Sequence, residues 1–320
     1  MPLRRRLLAA APLLALPVLA RAQSGAMRLV VPNAPGGTSD ILARLIAEPL
    51  GRALGGTVIV ENRAGAGGNI GADLVAKSTP DGTTMLLLDV SVLETFPSLL
   101  ARMPYDVERD LAPVQMLIYA PYILAVANRL PVQDARALAA HVKANTGRVS
   151  AANSGAGTLT HIVALSLASH WGGEMIHVPY RGGAPALLAV ASGESDLTMA
   201  GATQSQPYVT GGQMRGVAVS GRQRLTAVPD LPTFAELGWP LPESGTWQGL
   251  LVQGQTPPAI VARLEAAVAE VLAMPAVRSR IAELGGVVQA DGAAAFRARL
   301  QADTAALSAI IRTNNIRMDN

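Results

Sequence analysis

The chain has 320 residues, no cysteine and a formal charge of +3, and half of it is apolar. The lack of cysteine excludes thiol nucleophiles, disulfides and cysteine metal sites, so stability must come from buried cores, which a chain this long can build. Without the four arginines of residues 1–22 the chain carries 22 basic and 23 acidic side chains, a net charge of about −1, and no concentrated basic face for nucleic acid remains.

Those first residues read as an export leader. Arg4, Arg5 and Arg6 form a basic n-region, and Leu7 to Leu19 is an apolar run too short to span a bilayer. Ala20-Arg21-Ala22 fits the A-x-A cleavage pattern, which predicts a periplasmic mature chain starting near Gln23. The arginine run before Leu7 and Leu8 leaves both the Sec and the twin-arginine routes open. No later apolar run reaches membrane-spanning length.

An apolar strand, Met27 to Val31, leads into a turn of Pro32, Asn33, Ala34, Pro35, Gly36 and Gly37. A helix is predicted to follow, with Ser39 as N-cap, Asp40 at the positive end of its dipole, and Pro49 bending or ending it before Leu54. Free N–H groups at such a helix start favour an anion, and glycines let it approach the backbone. Thr57 to Glu61 reads as a second strand of the continuous apolar kind found in parallel sheets. The glycine loop after it, Asn62 to Gly71, fails the dinucleotide fingerprint because Ile70 stands where the third glycine belongs. Close backbone packing beside the first loop is the expectation there, and no cofactor is expected. Ala72 to Lys77 is a helix and Met85 to Leu88 a third strand, with Asp89, Ser91 and Thr95 beyond its end. Ligands of open parallel sheets bind beyond the carboxyl ends of strands, so the loops after strands one and three are expected to face one cleft.

Val114 to Val126, split by Pro121, reads as two strand segments and a first crossing between domains. Asp134 to Lys143 is a helix. Val149 to Ala152 is a strand entering the loop Asn153 to His161, which repeats the opening logic of strand, small-residue loop and helix start. Strands at Ile176 to Tyr180, Leu197 to Ala200 and Val217 to Ser220 alternate with a helix at Pro185 to Ala191. A proline-punctuated connector contains a short helix at Thr233 to Leu237, and Trp247 to Val252 is the second crossing. Pro257 to Met274, Ala276 to Leu284 and Ala293 to Asn314 complete the chain as helices. The expected fold is α/β, with two similar lobes and a mainly parallel sheet flanked by helices in each. Lobe one is expected at 27–120 plus 248–320, and lobe two at 121–247.

A secreted hydrolase or isomerase needs a catalytic constellation. Ser154 and His161 are the best candidate pair, but a spacing of seven separates them by two helical turns, and Ser154 lies in no G-x-S-x-G elbow. His141, His161, His170 and His177 show no metal-binding spacing. No catalytic residue and no metal ligand is therefore expected. Arg181 follows a strand end, where it would either pair with a second ligand carboxylate or remain a surface charge.

The stretches PNAPGGTSDILAR (32–44), VIVENRAGAGGNIGADLVAKSTPDG (58–82), AANSGAGTLTH (151–161), HVPYRGGAPALLAVASGESDL (177–197) and TWQGLLVQGQTPP (246–258) resemble the extracytoplasmic solute receptors of tripartite tricarboxylate transporters, also called Bug proteins. The resemblance spans nearly the whole mature chain. It implies a two-lobed flytrap that holds a small carboxylate between its lobes; with the missing catalytic signatures, the expectation is a receptor that is no enzyme, a monomer, with a tripartite membrane permease as partner. It also implies that backbone N–H groups, hydroxyls and waters hold the carboxylate. The matching positions are Pro35, Gly36, Gly37, Thr38 and Asp40 on one lobe, and Ser154, Gly155, Ala156, Gly157 and Thr158 on the other. Ser91, Tyr180, Arg181 and Gly201, at strand ends, complete the expected ligand-binding set. Two departures stand out. Ala200 aligns where many members carry an aspartate able to bind an ammonium group, which argues against an amino acid ligand. Phe96, with Glu94 nearby, replaces an asparagine before Pro97, which argues for a more apolar ligand or a smaller pocket.

Overall fold

The computed structural model describes residues 26–239 and 244–313, and the leader with its cleavage site lies outside the described residues. The first lobe opens with β1 (Ala26–Val31), α1 (Thr38–Leu54), β2 (Thr57–Asn62), α2 (Asn69–Ala76), β3 (Thr84–Asp89), α3 (Ser91–Leu99) and α4 (Val107–Asp110). β4 (Leu111–Val126) crosses into the second lobe. There follow α5 (Ala135–Ala144), β5 (Ser150–Asn153), α6 (Leu159–Trp171), β6 (Ile176–Pro179), α7 (Gly183–Ala191), β7 (Leu197–Gly201), α8 (Ala202–Thr210) and β8 (Arg215–Val219). β9 (Gly245–Gln253) returns, and α9 (Pro258–Ala273), α10 (Pro275–Glu283), β10 (Val287–Val288) and α11 (Ala293–Thr313) close the chain.

The strands run in the order β2-β1-β3-β9-β4-β7-β5-β6, with β8 and β10 also on β4. Each lobe has a parallel triplet, β2-β1-β3 and β7-β5-β6, while every contact of β4 and β9 is antiparallel. The sheet is therefore mixed and not mainly parallel, because the two crossing strands run in opposite directions between the lobes. β4 is one continuous buried strand of 16 residues and not two segments. Pro121, which has no N–H to donate, sits where the ladder changes partner: Pro121 is opposite Gly245 of β9, and Tyr122 is opposite Gly201 of β7.

Each lobe buries apolar side chains on both faces of its sheet, as parallel strands require. In lobe one, Leu42 and Ile46 of α1 join Leu264 and Val268 of α9 on one face. Ala72 of α2, Leu93 and Phe96 of α3 and Phe296 of α11 cover the other. In lobe two, Leu138 of α5 and Val163 of α6 pack with Trp239, and Leu187 and Val190 of α7 take the opposite face.

Local differences from the sequence reading have physical causes. α1 starts at Thr38 after Gly37, so Ser39 lies inside the helix and is not its cap, and the helix runs through Pro49 to a left-handed Gly55. Residues 233–237 form a turn with one i→i+4 bond, Leu237 N–H to Thr233 O at 3.1 Å, where the sequence predicted a short helix. α3 and α8 contain prolines, Pro97 and Pro207, which hid them from a periodicity reading. Replacing fully buried Leu87, in the middle of β3, by alanine is expected to destabilise the protein by about 2–5 kcal/mol. A lowered urea midpoint by circular dichroism checks this.

Candidate functional site

In a βα unit the helix begins where its strand ends, so the carboxyl edge of a parallel sheet collects helix N-termini. Here five helices open onto one cleft. Gly37 and Thr38 stand at the start of α1, Ser91 of α3, Thr158 of α6, Gly183 of α7 and Gly201 of α8, and all line the same cavity of ≈ 540 Å³, counted to its open mouth. In none of the five does the N-cap side chain hydrogen-bond to the helix. The first N–H groups of a helix have no partner within it, and each end acts as roughly half a positive charge. No lysine, arginine or histidine is among the cleft-lining residues described. Positive potential here therefore comes from the backbone.

The loop before α1 is braced from below. Asp40 is buried, and its carboxylate accepts the Gly36 N–H at 2.9 Å, the Arg44 guanidinium at 3.0 Å and the Asn62 amide at 3.0 Å. Burial raises the pKa of this carboxyl, but the hydrogen bonds outweigh it and hold it below the usual carboxylate value. Asp40 thus faces the turn and not the cleft. Gly36 has φ +85°, a left-handed conformation that suits glycine, whereas Gly37, at φ −76°, has no such need. On lobe two, Ser154 and Thr160 hydroxyls lie 2.9 Å apart, and the Thr158 hydroxyl donates to Gly155 O at 2.7 Å. The Thr158 proton is therefore spent inside the loop.

The lobes touch across the cleft. Ala34 N–H donates to Arg181 O at 3.2 Å, and a methyl group on Gly182, at φ +120°, would lie 3.4 Å from the Ala34 nitrogen. A methyl on Gly155 would come within 3.1 Å of Gly67 Cα in the second glycine loop. That loop packs on the first, because Gly71 abuts Pro32.

Of the expected residues, Gly37, Thr38, Ser91, Ser154, Thr158 and Gly201 line the cleft. Gly155, Ala156, Tyr180 and Arg181 line an outer cavity of ≈ 580 Å³, counted to its open mouth, that shares Asn33, Gly67 and Ser154 with it. Pro35, Gly36, Asp40 and Gly157 line neither. The Gly157 N–H goes to His161 Nδ1 at 3.0 Å, and the His161 ring packs on His177 with centroids 4.7 Å apart, so His161 is occupied away from Ser154. Phe96 is buried beneath Gly67 in the core of lobe one and adds no apolar surface to the cleft. The sequence reading missed Asn33, Tyr122, Thr160, Gln204, Thr246 and Gln248 as lining residues, and left Asp89 out of the ligand set. Asp89 had a signal, since it ends a parallel strand. Thr246 and Gln248 had none, because they reach the cleft on the antiparallel return strand.

The family model of the tripartite tricarboxylate transporter family receptor, TctC, matches residues 42–316. The chain belongs to this receptor family. BugT of Bordetella pertussis is 34% identical to the receptor over 260 residues, which is 81% of this chain and 80% of that protein. Two solved structures from Rhodopseudomonas palustris superpose closely. MatC with bound malate is 29% identical with a TM-score of 0.85, covering 89% of this chain and 98% of its own. Rpa4515 with adipate is 30% identical with a TM-score of 0.87, covering 91% and 98%. The receptor shares their two-lobed periplasmic binding protein fold.

The brace under the first loop gives a pH signature. A carboxyl held below its ordinary value of 3.8 contributes stability that is present above that pH and lost as pH falls through the lower folded value. Asp40→Asn is expected to cost about 1–3 kcal/mol at pH 7 through weakened charge-assisted bonds, and this cost should shrink below pH 4. Thermal melts of both proteins between pH 3 and pH 7 measure it.

Proposed function

We propose that this receptor captures a small carboxylate between its lobes in the periplasm, as a monomer, and presents it to a tripartite membrane permease. The observation that carries the reading is the convergence of five helix N-termini on a cleft lined, among the described residues, by no basic side chain. A carboxylate there takes charge-assisted bonds from N–H and hydroxyl groups, which strengthen as closure expels water. Relatives with malate and with adipate in place support the ligand class. The basic, apolar and A-x-A run of residues 4–22 supports export and cleavage near Ala22. In this reading the lobes, 27–120 with 248–320 against 121–247, close about the two crossing strands.

Thermal shift against mono-, di- and tricarboxylates tests the reading. A true ligand adds about 2.7 kcal/mol of stability at a hundredfold excess over its Kd. Gly37→Val should abolish that shift while leaving the unliganded melt close to wild type, because the backbone at Gly37 is extended and the new side chain enters the cleft. An unchanged carboxylate shift in Gly37→Val would rule out this loop as the holder. Arg181→Ala should weaken binding of dicarboxylates that reach the outer cavity and spare monocarboxylates. Calorimetry on a pair of similar size separates the two.

A further inference from the structure

The same cleft carries a negative end. Asp89, the last residue of β3, stands directly opposite Gln248 of β9 in the antiparallel ladder. Such partners put their side chains on the same face with Cβ atoms about 5 Å apart, and both residues line the cleft. The Asp89 carboxylate accepts the Ser91 N–H at 3.1 Å, the Ser91 hydroxyl at 2.9 Å and the Thr246 hydroxyl. A hydroxyl has one proton, so the Thr246 oxygen must be the acceptor for the Gln248 amide nitrogen that meets it. This relay fixes the amide and leaves Gln248 Oε1 without a hydrogen-bond partner on a side chain only 1% exposed. Gln204 Oε1, on a cleft-lining side chain 9% exposed, is also unpartnered.

The cleft thus holds an acid and two idle acceptors, with no cation among the described cleft-lining residues to meet them. The Glu94 carboxyl, buried near Asp89, offers no countercharge, and Arg299 is held by Asp303 at 3.0 Å and stacked on Trp247. Unpaired buried acceptors and charges are costly, and burial pushes the Asp89 carboxyl up to about 6 despite its hydrogen bonds. A ligand that brings both a positive charge and several N–H donors relieves Asp89 and Gln248 together, while Gln204 Oε1 stands apart, beside Gly37 and Gly183.

We propose that the ligand is an amino acid zwitterion, with its carboxylate on the helix N-termini and its ammonium group on Asp89 and Gln248 Oε1. This rests on the carboxylate reading of the cleft and deepens it. It reverses the expectation drawn from Ala200: the acid comes from β3 on lobe one, and Ala200 is one of the small residues lining the same cleft. The two ends of the cleft then match the two ends of the ligand.

Isothermal titration calorimetry at pH 8 with isosteric series tests it: propionate, lactate and alanine; succinate, malate and aspartate; glutarate, 2-hydroxyglutarate and glutamate. In a series that binds, the amine member should bind at least tenfold more tightly than the other two. Asp89→Asn should weaken the amine member about 10- to 100-fold and leave its partners within a few-fold. Its unliganded melting temperature should equal or exceed that of wild type, since a charge with no countercharge is removed. Gln248→Met, neutral and similar in volume, should also narrow the preference for the amine and gives a second test if Asp89→Asn folds poorly. The proposal is overturned if hydroxy or unsubstituted acids bind as tightly as amines, or if the variants weaken all three members equally. In those cases the cleft remains a carboxylate site. If no acid in any series binds, the carboxylate reading fails with it.

Discussion

The structure depends on where a parallel strand hands over to its helix. Five times among the described residues a strand ends at the cleft and a helix begins there, so first-turn backbone N–H groups from both lobes converge on one space, although at α3 the Ser91 N–H is taken by Asp89. In the proposed function a bound carboxylate accepts from those donors and offsets the cost of leaving them open. Such a site needs small residues at the handover, because a side chain would stand between backbone and ligand. Gly37, Gly183 and Gly201 occupy those positions.

Backbone dipoles also set a limit that side-chain cations do not. Each helix end contributes a fraction of a charge, and only within its first turn. The groups must therefore converge, and convergence requires that the lobes meet. At the loops the lobes meet through backbone and small residues, with Ala34 N–H on Arg181 O, Gly67 beside Gly155 and Gly36 beside the Ala184 methyl, and the Gln206 amide of α8 reaches Glu283 O of α10 at 3.0 Å. Asp40 supports this from below by holding Gly36 and Asn62, so the loop that meets the other lobe is fixed before any ligand arrives. Opposite this field stands Asp89, tied to Thr246 and Gln248 on the strand that returns from lobe two. The electrostatic character of the cleft thus depends on both crossings as well as on the loops.

Much of this was legible in the sequence. Apolar runs bounded by glycine and proline marked β1, β2, β3 and β5, and the small-residue loops after β1 and β5 marked two of the five helix starts. These are nearest-neighbour effects: a turn that needs left-handed φ selects glycine, as at Gly36, and a buried parallel strand selects aliphatic residues whatever lies elsewhere. The two helices interrupted by proline were missed because their signal is periodicity, which Pro97 and Pro207 break.

By itself the sequence determined the alternation of strands and helices, the family and the two small-residue loops that open α1 and α6, all of which are written within short windows of chain. Only the tertiary structure decided which of those loops' groups face the cleft, that Asp40 turns away from it, and that Thr246 and Gln248 enter it beside Asp89. The reason is distance along the chain. Asp89 and Gln248 are paired by an antiparallel ladder between β3 and a strand that first passes through the other lobe, and no local pattern around either residue encodes that partner.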